Sequence, residues 1–334
     1  MLHIVKTTKI SYVELLSIKG GPVAAYTRLS EDDVAEILFL YGFEDIKEVE
    51  PLSLGISNSN YRCSLGNSDA VILKVSNDKG ISEMQEEQEI LEALGEFPFT
   101  LTPYKTKSNA SVYTWKELYG AVFPFVSGSK SMGSLEDLEQ LGEALGLLHM
   151  FSIEHDLSNK GFRCHSKVGY DLTGVLEYCE LENSLEEFRV ACSDLFAKDE
   201  VKLWKESNLP KGLIHGDLYI DNALFEDGKL QMLLDFEQSG IGCFLQDIGI
   251  SVSGSCLSRD GVDLDMVEAF LKGYQSQRKL TDEESKLLNF SITLGLMEIS
   301  LWRIKRFHEG DLDPLKRESF RELIQLAKKF KDSL

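Results

Sequence analysis

The feature that most constrains this chain is the segment 212–247, in which polar residues interrupt apolar runs. His215, Asp217, Asn222 and Asp235 stand in or beside stretches of leucine, isoleucine, methionine and phenylalanine. A polar side chain that is buried without a partner costs free energy, so each of these residues needs a partner or a role. We therefore expect the chemistry of the protein to lie in this segment.

A β-hairpin is predicted at the centre of the segment. Asp227-Gly228 is a strong two-residue turn signal between two short strands. Counting outward from the turn places Asn222 opposite Leu233, and Asp235 lies two residues further along the same face. Asn222 and Asp235 are then diagonal neighbours, about 7–8 Å apart at the backbone and within joint reach of one small ion.

These side chains suit phosphate chemistry. One amide oxygen and one carboxylate are suitable ligands for Mg²⁺, which retains waters and phosphate oxygens when it binds proteins. Asp217 precedes Asn222 by five residues, and from the preceding loop it could accept a proton from a substrate hydroxyl. Any one of these residues alone would be a turn or cap residue. Their order around one hairpin indicates a magnesium-dependent phosphotransferase.

A second polar pair is predicted nearer the N-terminus. Lys74 follows the apolar run 71–73, and a lysine in a buried strand requires an anion. Glu87 lies on the apolar stripe of a helix that we predict to begin at Ser82, with Gln85 completing a capping box. We expect the lysine and the glutamate to pair. The alternative is that the lysine extends to solvent near the strand end.

The period of the apolar residues predicts an α+β fold with two lobes. Residues 1–24 show no clear period and form an N-terminal arm, 25–126 form a small lobe of antiparallel strands, and 127–334 form a larger, mostly helical lobe. The small polar connection that contains Ser57 and Asn58 could bring backbone N–H groups to phosphate oxygens. An ordinary hairpin turn is the simpler interpretation of that connection.

Composition excludes several partners. The chain has 35 basic and 55 acidic residues and a net charge of −20, which argues against nucleic acid or an anionic membrane as the main partner. No apolar run reaches the ~18–20 residues of a membrane span. The six cysteines show no close pairs, as in a protein with reduced thiols, and we expect a cytoplasmic location.

The run His215-Gly-Asp217-Leu-Tyr-Ile-Asp-Asn222, followed by Leu234-Asp235-Phe236, resembles the catalytic loop and metal-binding aspartate of the protein-kinase-like phosphotransferases. Aminoglycoside phosphotransferases, choline kinases and homoserine kinase type II form this branch. The segments around Tyr26-Thr27 and from Gly55 to Tyr61 resemble homoserine kinase type II in particular.

The resemblance implies a bilobal kinase-like fold and ATP- and Mg²⁺-dependent phosphorylation of a small-molecule hydroxyl. L-homoserine is the leading acceptor, and an aminoglycoside, choline or another amino alcohol is the alternative. A nucleotide-binding pseudoenzyme is a further alternative, although Lys74, Asp217, Asn222 and Asp235 are all present. A metallophosphoesterase would need more histidine and aspartate ligands than the spacing of the six histidines offers.

The resemblance also assigns roles to individual residues. Lys74 would pair with the ATP phosphates and Glu87 would orient it, Asp217 would be the catalytic base with His215 supporting its loop, Asn222 and Asp235 would hold Mg²⁺, Phe123 to Val126 would face the adenine, and Asp247 would be a hydrogen-bonding support for His215.

Three departures from homoserine kinase type II lie on the side of the acceptor. Tyr219-Ile220 stands where an aromatic–proline pair is usual, Glu237 stands where an aromatic is usual, and Glu298 stands where an arginine is more usual. Arg303 is retained, and its guanidinium suits a carboxylate. Glu237 and Arg303 are therefore candidate substrate contacts.

Overall fold

The computed structural model describes residues 27–52, 58–66, 68–310 and 313–334. The predicted arm at 1–24 and Ser57 lie outside the described residues. Within the described chain, a small lobe built on an antiparallel sheet is followed by a larger lobe made mostly of helices. The predicted fold class is confirmed.

The small lobe contains a five-stranded antiparallel sheet in the order β1-β2-β3-β5-β4. Its elements are α1 (Glu31–Phe39), β1 (Ile46–Pro51), β2 (Asn58–Leu65), β3 (Ala70–Ser76), α2 (Ile81–Ala93), β4 (Tyr113–Trp115) and β5 (Leu118–Pro124). Alternate residues of β3 pack into the core of this lobe with α1, while Ile72 and Lys74 face the space between the lobes. The lysine thus lies on the face that alternation predicts.

The start of α2 differs from the prediction. We expected Ser82 to cap the helix with Gln85, but Gly80 is the N-cap, and its N–H donates to the Glu83 carboxylate at 2.8 Å. Two capping patterns overlap here, Gly80 with Glu83 and Ser82 with Gln85. The backbone conformation decides which of them forms the start of the helix. The shift leaves Glu87 on the buried face, at 1% exposure.

The large lobe surrounds a helical core. Its elements are β6 (Ser129–Lys130), α3 (Leu135–Glu154), α4 (Leu172–Glu180), α5 (Glu186–Leu195), α6 (Lys198–Glu206), β7 (Lys211–Ile214), β8 (Ala223–Glu226), β9 (Lys229–Leu233), β10 (Gly240–Cys243), α7 (Phe244–Ser255), β11 (Leu257–Ser258), β12 (Gly261–Val262), α8 (Leu264–Gln277), α9 (Asp282–Arg303) and α10 (Phe320–Asp332). Short 3₁₀ turns and a π-helical turn at Ile304–Glu309 connect them.

Close helix crossings set the spacing of this lobe. A Cβ added at Gly142 of α3 would lie 2.0 Å from the Phe270 carbonyl oxygen, and one at Gly273 of α8 would lie 1.8 Å from the Glu139 carbonyl oxygen. Neither crossing has room for any side chain, so the backbones of α3 and α8 touch. This contact fixes the helical wall behind the site.

Helix α9 crosses α7 in the same way. A Cβ at Gly295 would lie 2.6 Å from the Gly249 carbonyl oxygen. The helical stretch Asp282–Glu309 is long and apolar enough to cross a membrane by length and composition, but 72% of its most apolar window is buried inside the protein. It is the core helix of the large lobe, and its crossing with α7 brings Glu298 against Gln246.

Candidate active site

A cleft of about 1010 Å³ opens between the two lobes. Residues from both lobes line it, and they include most of those that the sequence singled out: Asn58, Lys74, Glu87, Phe123, Val126, Asp217, Asn222, Asp235, Glu237 and Arg303. His215 and Asp247 lie directly behind the wall of the cleft, both fully buried. The structure therefore gathers residues that span more than two hundred positions of sequence.

The predicted hairpin forms, but its predicted register is wrong by one residue. Glu226 pairs with Lys229 as expected, and a bulge then skips Gln231, so that Leu233 pairs with Ala223 instead of Asn222. Asn222 accepts a hydrogen bond from the Leu234 N–H at 2.8 Å. Because Asn222 has left the strand, both its side chain and that of Asp235 reach the cleft.

Asp217 lies on the loop between β7 and β8, beside Asn222. The Asn222 amide nitrogen donates to the Asp217 carbonyl oxygen at 2.8 Å and approaches its carboxylate at 3.4 Å. Burial in the cleft raises the pKa of Asp217 well above its usual value, and the charges of Asp235, Glu237 and Asp221 raise it further. A carboxylate with a raised pKa is a stronger proton acceptor.

Asp235 follows β9 in a left-handed backbone conformation, with φ 65° and ψ 60°. Such a conformation is costly for a residue other than glycine and is concentrated at functional sites. Burial raises the pKa of Asp235 to about 7, and repulsion from Glu237 contributes. Its Oδ1 atom accepts no hydrogen bond among the described residues, and Lys74 Nζ lies 3.9 Å away.

The donor set of Asn222 and Asp235 fits a divalent cation. Asn222 uses its amide nitrogen on Asp217, which leaves the amide oxygen to act as a ligand. Asp235 offers an oxygen without a hydrogen bond. Among the described residues, no group of three or more His, Cys, Asp or Glu side chains is arranged to hold a metal. Mg²⁺ needs no such group, because phosphates and waters complete its shell.

Across the cleft, Lys74 Nζ donates to Glu87 Oε1 at 2.8 Å. Burial alone would lower the pKa of Lys74, but the negative charges of Glu87, Asp235 and Glu237 raise it above its usual value. The ammonium is therefore fixed as a cation opposite Asp235. This position suits a phosphate that would bind beside both groups.

The side chain of Glu237 extends from the turn after Asp235 to the small lobe. Its Oε2 atom accepts hydrogen bonds from Asn58 Nδ2 at 2.9 Å and from Lys79 Nζ at 2.9 Å. Burial opposes its charge, but the attraction of Lys79 and Lys74 and these hydrogen bonds hold the pKa at about 2. The carboxylate that we expected to contact the acceptor is thus engaged by β2 and the β3–α2 connection.

His215 and Asp247 support the Asp217 loop from behind. The Asp247 carboxylate accepts the backbone N–H of His215 and that of Gly216, each at 2.8 Å, and also contacts His149 Nε2 at 3.0 Å. The His215 imidazole instead donates from Nε2 to Leu234 O and accepts the Asp217 N–H at Nδ1. Asp247 therefore bonds to the backbone N–H of His215 and not to its ring. The sequence predicted Asp247 as a hydrogen-bonding support for His215 but did not say which of these groups it would contact.

Arg163 was missed by sequence analysis. Its guanidinium is buried and donates to Ser239 O at 2.8 Å, Glu237 O at 2.7 Å and Glu83 O at 3.3 Å. The side chain thus bridges α2 to the turn that follows Asp235. Its Nη1 atom also lies 3.6 Å from the Glu86 carboxylate. No motif marks this arginine, because its three hydrogen-bond acceptors are backbone carbonyls, which any residue supplies.

The far end of the cleft is lined by Tyr170, Tyr219, Glu298, Trp302 and Arg303. The Arg303 guanidinium donates to Ser319 O at 2.9 Å and faces Glu322 at 4.0 Å. Glu298 accepts a hydrogen bond from Gln246 at 3.0 Å. This end combines acidic, aromatic and basic groups, as a pocket for a small polar molecule would require.

The two lobes, the Lys74–Glu87 pair and the Asp235 turn define a protein-kinase-like phosphotransferase. The amicoumacin kinase hAmiN in complex with AMP-PNP, Ca²⁺ and Ami has this fold, with a TM-score of 0.68, 17% identity and 96% of each chain covered. A microcompartment-associated aminopropanol kinase gives a TM-score of 0.67 at 20% identity, covering 90% of this chain and 95% of that one.

Sequence comparison gives the family. Residues 48–284 match the model of the phosphotransferase enzyme family, and the chain belongs to this family as a small-molecule kinase. The homoserine kinase of Methylobacillus glycogenes is 26% identical over 310 residues, which cover 90% of this chain and 94% of that protein. That of Polaromonas naphthalenivorans (strain CJ2) is 32% identical over 171 residues, covering 50% and 53% of the two chains. The predicted resemblance is confirmed.

Proposed function

We propose that the protein is a cytoplasmic kinase that transfers the γ-phosphate of ATP to the hydroxyl of a small amine-bearing acceptor, with L-homoserine as the leading substrate. The observation that carries this proposal is the grouping of Asp217, Asn222 and Asp235 on one side of the cleft, opposite the Lys74–Glu87 pair. The curated homoserine kinases support the choice of acceptor.

The nucleotide is proposed to bind mainly to residues 25–126. Phe123 and Val126 line the cleft at the end of β5, where they offer an apolar surface to adenine. Lys74 meets the phosphates, held in place by Glu87. Asn58 borders the same part of the cleft, close to the short connection that also contains Ser57. These contacts position the γ-phosphate toward the large lobe.

The transfer step is proposed to use residues 127–334. The acceptor oxygen attacks the γ-phosphorus, the bond from that phosphorus to the β–γ bridging oxygen breaks, and ADP leaves with the electron pair. Asp217 accepts the hydroxyl proton, and His215 and Asp247 hold its loop. Asn222 and Asp235 would hold Mg²⁺, which supplies charge neutralisation at the phosphate oxygens when bound.

A second candidate acceptor is an amino alcohol without a carboxylate. The structural similarity to an aminopropanol kinase favours it, as do the acidic groups at the far end of the cleft. Arg303 distinguishes the candidates, since a guanidinium at that end would bind the carboxylate of homoserine.

The proposal is tested by measuring ADP release and phosphorylated product with ATP, Mg²⁺ and a panel of L-homoserine, 1-aminopropan-2-ol, choline and an aminoglycoside. We expect turnover with L-homoserine. The Asp217→Asn variant should lose about 10²- to 10⁴-fold in kcat while its affinity for ATP is retained. Nucleotide binding without turnover of any acceptor would instead identify a pseudoenzyme, and near-normal turnover by Asp217→Asn would remove the base.

A further inference from the structure

A network of buried polar side chains lies behind the loop between β7 and β8, outside the lining of the cleft. We call it the buried network, and its members, none more than 7% exposed, are His149, Asp247, Tyr274, Arg278 and Glu284. Asp247 supports the loop, but the phosphate chemistry uses none of the other four. Buried polar groups are costly unless they are paired, so their pairing indicates what the network does.

Hydrogen bonds connect these side chains without a gap. Arg278 Nη2 donates to both oxygens of Glu284, at 2.9 and 3.0 Å, and Arg278 Nη1 donates to the Tyr274 hydroxyl at 2.8 Å. The hydroxyl oxygen lies 2.8 Å from His149 Nδ1, and His149 Nε2 lies 3.0 Å from Asp247 Oδ2. The buried network therefore extends from the start of α9 to the aspartate behind the loop.

The chemistry of each group fixes the direction of the hydrogen bonds. Burial opposes the charge of Asp247, but the hydrogen bonds from His149 and Gly216 help to hold its pKa below the usual value, and an ionised carboxylate only accepts. His149 Nε2 must therefore carry a proton. Burial also holds the pKa of His149 below its usual value, and a neutral ring with a proton on Nε2 has none on Nδ1. The Tyr274 hydroxyl must then donate to Nδ1, and its oxygen accepts from Arg278.

Packing holds the His149 ring in place between these bonds. The ring stacks on that of Phe244, with the two centroids 4.2 Å apart, and the Arg278 guanidinium lies 4.9 Å from the centre of the same phenylalanine ring. A Cβ at Gly146 would lie 2.7 Å from the Tyr274 carbonyl oxygen, so α3 and α8 approach closely here. The position of the ring is thus set by one stacked face and two hydrogen-bonded nitrogens.

Asp247 passes this constraint to the loop. Its carboxylate accepts the backbone N–H of His215 and that of Gly216, each at 2.8 Å. Gly216 has φ 78°, a left-handed conformation, and directly precedes Asp217. A displacement of the carboxylate would therefore displace the turn that carries the proposed base, and a small misplacement of a reacting group is costly to turnover.

We infer that Tyr274 and Arg278 are positioning residues, which act on phosphoryl transfer through His149 and Asp247 by holding the backbone of the loop that carries Asp217. The effect on turnover rests on the proposed function, whereas the hold on the loop is measurable without turnover. Neither residue lines the cleft, so their loss should lower kcat and leave KM for ATP and for the acceptor unchanged.

The first test locates the ring protons in the unmodified enzyme. Nitrogen NMR of protein with isotope-labelled histidine, at neutral pH, shows which ring nitrogen carries the proton, and nuclear Overhauser effects to Phe244 identify His149. We expect a neutral ring with its proton on Nε2 and with Nδ1 accepting a hydrogen bond. A proton on Nδ1, alone or together with one on Nε2, overturns the inference, because Tyr274 could not then donate to the ring.

The second test compares two tyrosine-to-phenylalanine substitutions in the large lobe. Tyr274→Phe removes the middle member of the buried network. Tyr178→Phe is the matched control, because its buried hydroxyl also makes two hydrogen bonds, to Glu309 at 2.9 Å and from the Leu185 N–H at 3.1 Å. Each variant loses one buried hydroxyl, so a loss of thermal stability is expected in both and does not distinguish them.

Hydrogen exchange of the His215 and Gly216 amides distinguishes the two variants. In Tyr274→Phe we expect these amides to exchange roughly 10-fold faster than in wild type, the size of effect given by one hydrogen bond, because the His149 ring has lost one of its anchors. We expect kcat to fall by a similar factor, with both KM values unchanged. Tyr178→Phe should keep the wild-type exchange rates and the wild-type kcat.

Several outcomes overturn the inference. They are a folded Tyr274→Phe enzyme with wild-type exchange at both amides, faster exchange with an unchanged kcat, and equal effects of Tyr178→Phe. If Tyr274→Phe does not fold, the proton positions on His149 in the unmodified enzyme decide alone. Absence of turnover with every acceptor overturns the proposed function instead, and the exchange rates then still show whether the buried network holds the loop.

Discussion

His215 joins the two halves of the phosphate site as a neutral ring. With Nε2 directed at Leu234 O and Nδ1 accepting the Asp217 N–H, the ring links the loop before β8 to the residue before Asp235. Burial holds the pKa of His215 down to about 4, because a second ring proton would place a charge in the core. The imidazole is a spacer between two loops, and protonation would disrupt it.

Stability should therefore fall as the pH falls. Below about pH 6.5 the unfolded chain binds a proton at His215 that the folded protein does not bind until about pH 4. At pH 5 this histidine alone should remove about 2 kcal/mol of unfolding free energy. Chemical denaturation of wild type and His215→Gln at pH 7 and pH 5 measures this loss of unfolding free energy.

The matched variant isolates this histidine from other titrating groups. His215→Gln lacks the proton-binding ring, so the stability gap between wild type and variant should narrow by about 2 kcal/mol between pH 7 and pH 5. A stability gap that is the same at pH 7 and pH 5 would mean that the ring binds a proton in the folded protein as readily as in the unfolded chain.

At the scale of single residues, the sequence indicates those whose polar chemistry conflicts with their apolar surroundings. Lys74 in an apolar strand and Asp217, Asn222 and Asp235 around a hairpin are visible for this reason, and the structure brings them to one cleft. Arg163 could not be predicted, since its three acceptors are backbone carbonyls. Glu298 was visible only as a departure from the family pattern.

At the scale of elements, the hairpin shows where a sequence pattern is insufficient. Asp227-Gly228 predicts the turn, and both residues have positive φ as that turn requires. The bulge that skips Gln231 has no mark in the sequence, because it depends on packing around the strand end. Counting residues consequently placed Asn222 inside a strand, whereas it lies in the 3₁₀ turn at Ile220–Asn222.

The α3–α8 crossing predicts a large effect from a small substitution. Gly142→Ala places a methyl group 2.0 Å from the Phe270 carbonyl oxygen, so the helices must separate. We expect a loss of about 1–3 kcal/mol of unfolding free energy. Urea denaturation followed by circular dichroism measures this loss.

Gly174→Ala in α4 provides the comparison for that substitution. Its added Cβ would lie 3.4 Å from the Tyr170 ring, which is ordinary contact. Alanine is the better helix former by about 1 kcal/mol, so this variant should be unchanged or more stable. Equal losses for both variants would mean that the crossing is not the tight contact described.

At the scale of the whole molecule, the change of period along the chain was sufficient to predict two lobes of different composition. Strand patterns are dense in the first part of the chain and helical patterns dominate later, and the structure has a five-stranded sheet followed by a mostly helical lobe. The helix crossings and the size of the cleft were not predictable. They depend on which glycines meet across helices, such as Gly249 and Gly295, and that pairing is long-range.

The net charge of −20 predicts an unusual dependence on salt. A strongly acidic surface repels a nucleotide, and added salt screens that repulsion. The association rate of a fluorescent ATP analogue at constant Mg²⁺ should therefore rise several-fold, to about 10-fold at most, between 20 and 200 mM NaCl. Stopped-flow mixing measures this rate, with sucrose as the uncharged control. A rate that falls with salt would show that the cations of the cleft dominate the field.

The Arg163 bridge has a consequence for how the enzyme moves. One guanidinium holds a carbonyl at the start of α2 and two carbonyls beyond Asp235, and all three would lose a donor if the lobes parted there. We therefore expect α2 and the turn beyond Asp235 to move together when the cleft opens.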